Sequence, residues 1–269
     1  MYDNICKYLA ENFQADLATW LLGSPVELTE LSPTELSNEP IRADSLILLQ
    51  SENLILHIEF QTDGNKNIPF RMLDYRVRGY RRFPDKQMRQ VVIYLRKTDS
   101  ELVHENSFRL NKTYHEFEVI RLWEQPTEQF MTAPGLLPFA VLSQTEDPTM
   151  VLSQVAQAVE KIKDQQQQRD IAAASSILAG LVLNRNVIKK IFRSEIMRES
   201  VIYQDILEEG EAKGEARGKA EGEAKGKAET TRKLAINLLR IGMNLEQIAE
   251  VTELSVEQVR DLQQEIQSL

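Results

Sequence analysis

Asp44-Ser-Leu-Ile-Leu-Leu-Gln50 and Leu54-Ile-Leu-His-Ile-Glu-Phe-Gln61 are the two stretches whose reading decides the fold. Both have the apolar and β-branched content of strands, and the polar Gln50-Ser-Glu-Asn53 between them is a turn. A turn centred on Ser51 and Glu52 makes an antiparallel hairpin in which Asp44 lies opposite Glu59, with Cβ atoms roughly 5 Å apart. Two opposed carboxylates destabilise a sheet unless a proton or a cation lies between them. Gln61 projects from the same strand face as Glu59, because side chains alternate along a strand. His57 shares that face and reads as a structural histidine. The hairpin therefore predicts a cation-seeking site on one face of a sheet.

Before the hairpin, residues 3–22 predict one amphipathic helix, with Ile5, Leu9, Phe13, Leu17, Trp20 and Leu21 on one face. Gly23-Ser24-Pro25 ends it. Asp16 falls inside that apolar stripe, where an unpaired acid is costly. It is either a site acid or half of a salt bridge within the N-terminal domain. Residues 25–41 read as an acidic loop. After the hairpin, a second helix is expected from Ile68 to Phe83 with Phe70, Leu73, Val77 and Tyr80 as its buried stripe. Gln90-Val-Val-Ile-Tyr-Leu95 is a candidate buried strand, and His115 to Trp123 another. Strands framed by helices predict an α/β core over 1–145. A helical extension follows over 146–207, broken at Gln165 to Gln168.

With 42% hydrophobic and 27% charged residues in 269, the chain reads as a globular protein. No apolar run approaches the roughly 20 residues of a membrane span, and the N-terminus lacks a secretory layout. A single cysteine, Cys6, excludes an internal disulfide and a thiolate cluster, so a cytoplasmic location is expected. The net charge of −9 is unevenly spread. Between Lys66 and Lys97, ten basic residues face only Asp74 and Asp85, which leaves +8 in that segment. Arg71, Tyr75, Arg78 and Arg82 recur at helical spacing there, either a stripe suited to DNA phosphates or a solvated face that pairs with the acidic 26–39 loop.

Residues 208–229 are a spacer of Gly, Ala and charged residues. Residues 230–269 predict three short helices, with Asn244/Gln247 and Ser255/Gln258 as capping boxes. Ile248, Ala249, Leu254, Val259 and Leu262 fall where a helix-turn-helix buries side chains, although its tight turn favours Gly where Glu253 stands. Glu257, Asp261 and Glu265 outnumber Arg260 on the last helix, and phosphates repel such a face. This module is therefore expected to bind a protein partner or a second copy rather than DNA.

Asp44 with Glu59-x-Gln61, preceded by an acid-bearing helix and followed by a basic one, resembles the PD-(D/E)XK nuclease superfamily. More narrowly, the chain resembles the Rpn family of recombination-promoting nucleases and transposase-like proteins. That likeness rests on Tyr2-Asp3-Asn4, Lys7, Ala43-Asp44, Ile58-Glu59-Phe60-Gln61, Arg71, Tyr75, the Gly-rich spacer, Gly242-Met243 and Leu254-Ser-Val-Glu257, and it spans most of the chain. It implies a restriction-endonuclease-like α/β core, a mixed central sheet flanked by helices, and metal-dependent hydrolysis of DNA. Asp44 and Glu59 would ligate Mg²⁺ or Mn²⁺, with Asp16 as a further acid, and Gln61 stands where the superfamily carries lysine. Glutamine offers dipoles but no charge.

Overall fold

The computed structural model describes residues 2–31, 46–192, 200, 219, 226–227 and 229–267. The chain divides into two compact units, Met1–Ile206 and Leu207–Leu269, each with its own apolar core. Among the described residues no helix is long and apolar enough to cross a membrane.

The first unit is mixed α/β. Its sheet has the order β1-β2-β3-β4-β7, from β1 (Thr29–Glu30), β2 (Leu46–Gln50), β3 (Leu54–Gln61), β4 (Gln87–Tyr94) and β7 (Glu118–Arg121). β1, β2 and β3 run antiparallel, whereas β3, β4 and β7 run parallel. Parallel neighbours need a long crossover, and helix α3 (Ile68–Arg82) supplies it between β3 and β4. β4 is covered on both faces, which explains its continuous apolar run. The strand expected over 115–123 is instead two. β5 (Ser107–Leu110) and β6 (Thr113–Glu116) form a separate hairpin, and β7 joins the main sheet. The break falls at Phe117, which is drawn into a core with Val92 and Tyr94.

The hairpin of β2 and β3 is present with a shifted turn. The amide of Ser51 donates to Leu54 O at 2.9 Å, so the two-residue loop is Glu52-Asn53. One residue of turn moves the register by two, and Leu46, not Asp44, lies opposite Glu59. Asp44 itself lies outside the described residues.

One helix was expected over 3–22, but Phe13 (φ −127°, ψ 44°) breaks it into α1 (Tyr2–Asn12) and α2 (Gln14–Leu22). Ile5, Leu9, Leu17 and Leu21 still share the core with the even-numbered β3 residues Leu56, Ile58 and Phe60. The same core takes in α4 (Leu137–Ala140), α5 (Pro148–Val159), α6 (Gln165–Ala179) and the end of α7 (Arg185–Ile191) through Phe139, Leu152, Ile171 and Ile188. Residue 145 therefore ends no core, and the compact unit runs to Ile206. The glutamine run opens α6 instead of interrupting a helix: Asp164 Oδ1 accepts the Gln167 amide at 2.6 Å as its N-cap.

In the second unit, a helix over 229–240 precedes helices Leu245–Thr252 and Val256–Gln267. Asn244 Oδ1 accepts from Gln247 N at 2.8 Å. Ser255 and Gln258 cap each other reciprocally, a complete capping box. Ala235, Ile248 and Val259 form the centre of the core. Glu253 adopts φ 58°, the left-handed turn conformation for which glycine is the usual residue. Most of the 208–229 spacer lies outside the described residues.

Candidate functional site

Alternation along β3 assigns its two faces. The even-numbered side chains enter the large apolar core, and the odd-numbered Ile55, His57 and Glu59 lie beneath α3. Glu59 is 0% exposed, and a carboxylate so placed needs donors. Arg71 of α3 provides one, its Nη1 lying 2.9 Å from Glu59 Oε2. Gln61 Nε2 is a second donor to the same oxygen, at 3.3 Å. Among the described residues Glu59 Oε1 is buried with no hydrogen-bond partner, and the equally unpartnered His57 Nε2 stands 3.6 Å from it.

The polar face of β3 sets the rotation of α3. Its buried residues are Ile68, Pro69, Met72, Tyr75 and Gly79. Phe70, Val77 and Tyr80, expected to be buried, are 57%, 48% and 65% exposed. The inward face is therefore neither stripe read from the sequence: it runs through Ile68, Met72, Tyr75 and Gly79, and brings Tyr75 and Arg71 over His57 and Glu59. Gly79 sits where a Cβ would come 2.9 Å from Met88 Sδ, so the helix approaches β4 closely there.

This rotation corrects the DNA-contact expectation. Tyr75 is 3% exposed and meets the His57 ring edge-on at 5.0 Å, so it is no surface stacking residue. Burial, and then the negative charge of Glu59, push its phenol up to about 12. Arg71 serves Glu59, and Arg78 Nε pairs with Asp74 at 2.9 Å. Arg82 is exposed, with its guanidinium over the Phe83 ring. Of the ten cations in the +8 segment, six have such internal uses: Arg71, Arg76, Arg78, Lys86, Arg89 and Arg96. Lys66, Arg81, Arg82 and Lys97 are exposed, and they carry what cationic surface the segment presents.

Among the described residues Asp16 is part of neither Glu59's surroundings nor a salt bridge. Its Oδ2 accepts the amide of Gly135 at 2.8 Å. A Cβ on Gly135 would collide with Phe13, so the turn at Pro134–Leu136 seats directly on the α1–α2 break. Among the described residues no group of three or more His, Cys, Asp and Glu side chains gathers. Of the acids expected to hold Mg²⁺, Glu59 fits by chemistry, a hard oxygen donor whose Oε2 faces the partly exposed Arg71 and Gln61. Asp16 is committed elsewhere.

Two further residues belong to this site and escaped the sequence reading. Gln90 of β4 lies beside His57 in the parallel register and is 5% exposed. His115 of β6 lies 2.9 Å from Gln90 Oε1. Burial, then the nearby charge of Arg76, lowers the His115 pKa below its usual value. The one available signal for Gln90 was a polar residue at the start of the apolar run Val91–Leu95. Nothing in the local sequence points to His115. Comparison of the chain with protein-family models, with curated proteins and with solved structures returns no match in any of the three.

Proposed function

We propose that the first unit is a metal-dependent DNA endonuclease of the PD-(D/E)XK type, similar to the Rpn family, with Glu59 at its centre. The observation that carries this reading is the Glu59 carboxylate, fully buried on a sheet face with its Oε2 turned toward the partly exposed Arg71. Burying a charged carboxylate is costly even when it is paired, and functional sites are where that cost is met. The mixed sheet, with helices before the hairpin and between β3 and β4, agrees with the reading.

In this reading Glu59, together with Asp44, would hold Mg²⁺ or Mn²⁺. The bound ion supplies a polarised water and neutralises charge on a phosphate. Arg71 pairs with Glu59 and is 27% exposed, so its guanidinium can turn from the carboxylate to a phosphate oxygen. Gln61 holds Glu59 Oε2 by a dipole where a lysine would bring charge. Exposed Lys66, Arg81 and Arg82 supply long-range attraction for DNA.

A second reading has its own support: a nuclease fold that binds DNA, or recruits a partner through residues 230–269, without cutting. The Arg71–Glu59 pair at 2.9 Å already neutralises the carboxylate, and Gln61 cannot carry the charge of lysine. Supercoiled plasmid incubated with Mg²⁺, Mn²⁺ or EDTA separates the two. Cleavage predicts nicking abolished by EDTA and lowered roughly 100-fold or more by Glu59→Gln or Asp44→Asn. Plasmid retarded on a gel but never nicked selects the binding reading.

A further inference from the structure

His57, Gln90 and His115 form a connected set whose protons can be placed from heavy-atom geometry alone. Gln90 Nε2 lies 2.7 Å from the carbonyl oxygen of Met72. A carbonyl only accepts, so this contact fixes the orientation of the Gln90 amide. The second proton of the same NH₂ group then points to His57 Nδ1, 2.9 Å away. His57 Nδ1 must accept it, which leaves the ring proton of His57 on Nε2. On the other side, Gln90 Oε1 accepts from His115 Nε2 at 2.9 Å, so His115 also carries its proton on Nε2. One amide thus sets the tautomer of two histidines.

The proton placed on His57 Nε2 faces Glu59 Oε1 across 3.6 Å, and neither atom has another hydrogen-bond partner among the described residues. The Tyr75 ring, edge-on at 5.0 Å, fixes the plane of the imidazole. We propose that His57 is the donor reserved for Glu59 Oε1, and that Gln90 and His115 are positioning residues that hold it in the Nε2–H tautomer. A shift of well under 1 Å closes the contact to hydrogen-bond length. Glu59 is then asymmetric. Oε1 is held from below by a histidine that cannot leave, and Oε2 faces the half-exposed Arg71 and Gln61, where partners exchange. The same tautomer argues against His57 as a metal ligand, because ligation needs the Nε2 lone pair.

The assignment of Oε2 as the exchanging oxygen rests on the endonuclease reading; the tautomer does not. The test is therefore spectroscopic. The chain holds three histidines, so ¹⁵N-histidine labelling of the full chain gives a tractable long-range ¹H–¹⁵N spectrum. His57 and His115 are expected as single Nε2–H tautomers. In Gln90→Leu, His57 is expected to lose its single-tautomer signature. In His115→Gln, whose amide can still donate to Gln90 Oε1, it is expected to keep it. An Nδ1–H tautomer for His57 in the wild type overturns the proposal, as does an unchanged His57 signal in Gln90→Leu. Should Gln90→Leu fail to fold, the wild-type spectrum alone decides. A wild type that never nicks plasmid but shows the expected tautomers retains the proposal and discards only the enzymatic reading.

Discussion

The two faces of β3 are both buried, yet they are built on opposite principles. Leu56, Ile58 and Phe60 enter an apolar core whose requirement is volume, and many neighbours can meet it. His57 and Glu59 are as deeply buried, but their requirement is directional, and few side chains can satisfy it. The apolar face accepts helices from far along the chain, α1, α2, α4, α5 and α6 among them. The polar face dictates which side of α3 turns inward. A sheet face that specifies its covering helix by hydrogen bonds is under a constraint that packing alone does not impose.

The largest effect is expected on the apolar face. Phe60 is 1% exposed and its ring is stacked 5.7 Å from that of Phe139, so Phe60→Ala should cost about 3–5 kcal/mol in urea unfolding. On the polar face, Arg71→Met removes the charged partner of a fully buried carboxylate and should cost about 3 kcal/mol. The contrast is sharpened by restoring neutrality: Glu59→Leu combined with Arg71→Leu should recover most of that loss. A double variant no more stable than Arg71→Met would show that the pair is not what the polar face is built around.

A smaller, pH-dependent effect tests the edge of the same face. His115 has a folded pKa below its unfolded value, so the unfolded chain takes up the proton first as pH falls. Its stabilising contribution is complete above about pH 6.5 and is lost as pH drops through that value toward the lower folded pKa. Stability measured from pH 7.5 to 5 should therefore fall less steeply in His115→Gln. The smallest effect belongs to the outer side of α3. Val77 is 48% exposed, and Val77→Gln should change stability by no more than about 0.5 kcal/mol. A loss of several kcal/mol there would restore the helix rotation expected from the sequence.

The strands β3 and β4 and the helix between them are legible in the sequence, because period 2 and period 3.6 are local properties. The rotation of α3 is not. Phe70, Leu73, Val77, Tyr80 and Arg71, Tyr75, Arg78, Arg82 are equally regular stripes, and the face that turns inward, Ile68, Met72, Tyr75 and Gly79, matches neither in full. Register is similarly fragile: moving the turn from Ser51-Glu52 to Glu52-Asn53 replaces Asp44 by Leu46 opposite Glu59. The expectation that Asp16 needs a partner was sound, but that partner is the Gly135 amide, 119 residues away in sequence. Glu59 and Gln61 were visible as a polar pair on one strand face. Their company of Arg71, Gln90 and His115 arises from three other elements, which no periodicity links.

The central claim is that Glu59 and Arg71 are kept for function and not for stability. The most direct measurement combines folding and metal-dependent nicking of supercoiled plasmid in the Glu59→Leu, Arg71→Leu double variant. The account predicts a folded protein within about 1 kcal/mol of the wild type, with nicking lost while the wild type retains it. Equal nicking by both proteins would contradict it.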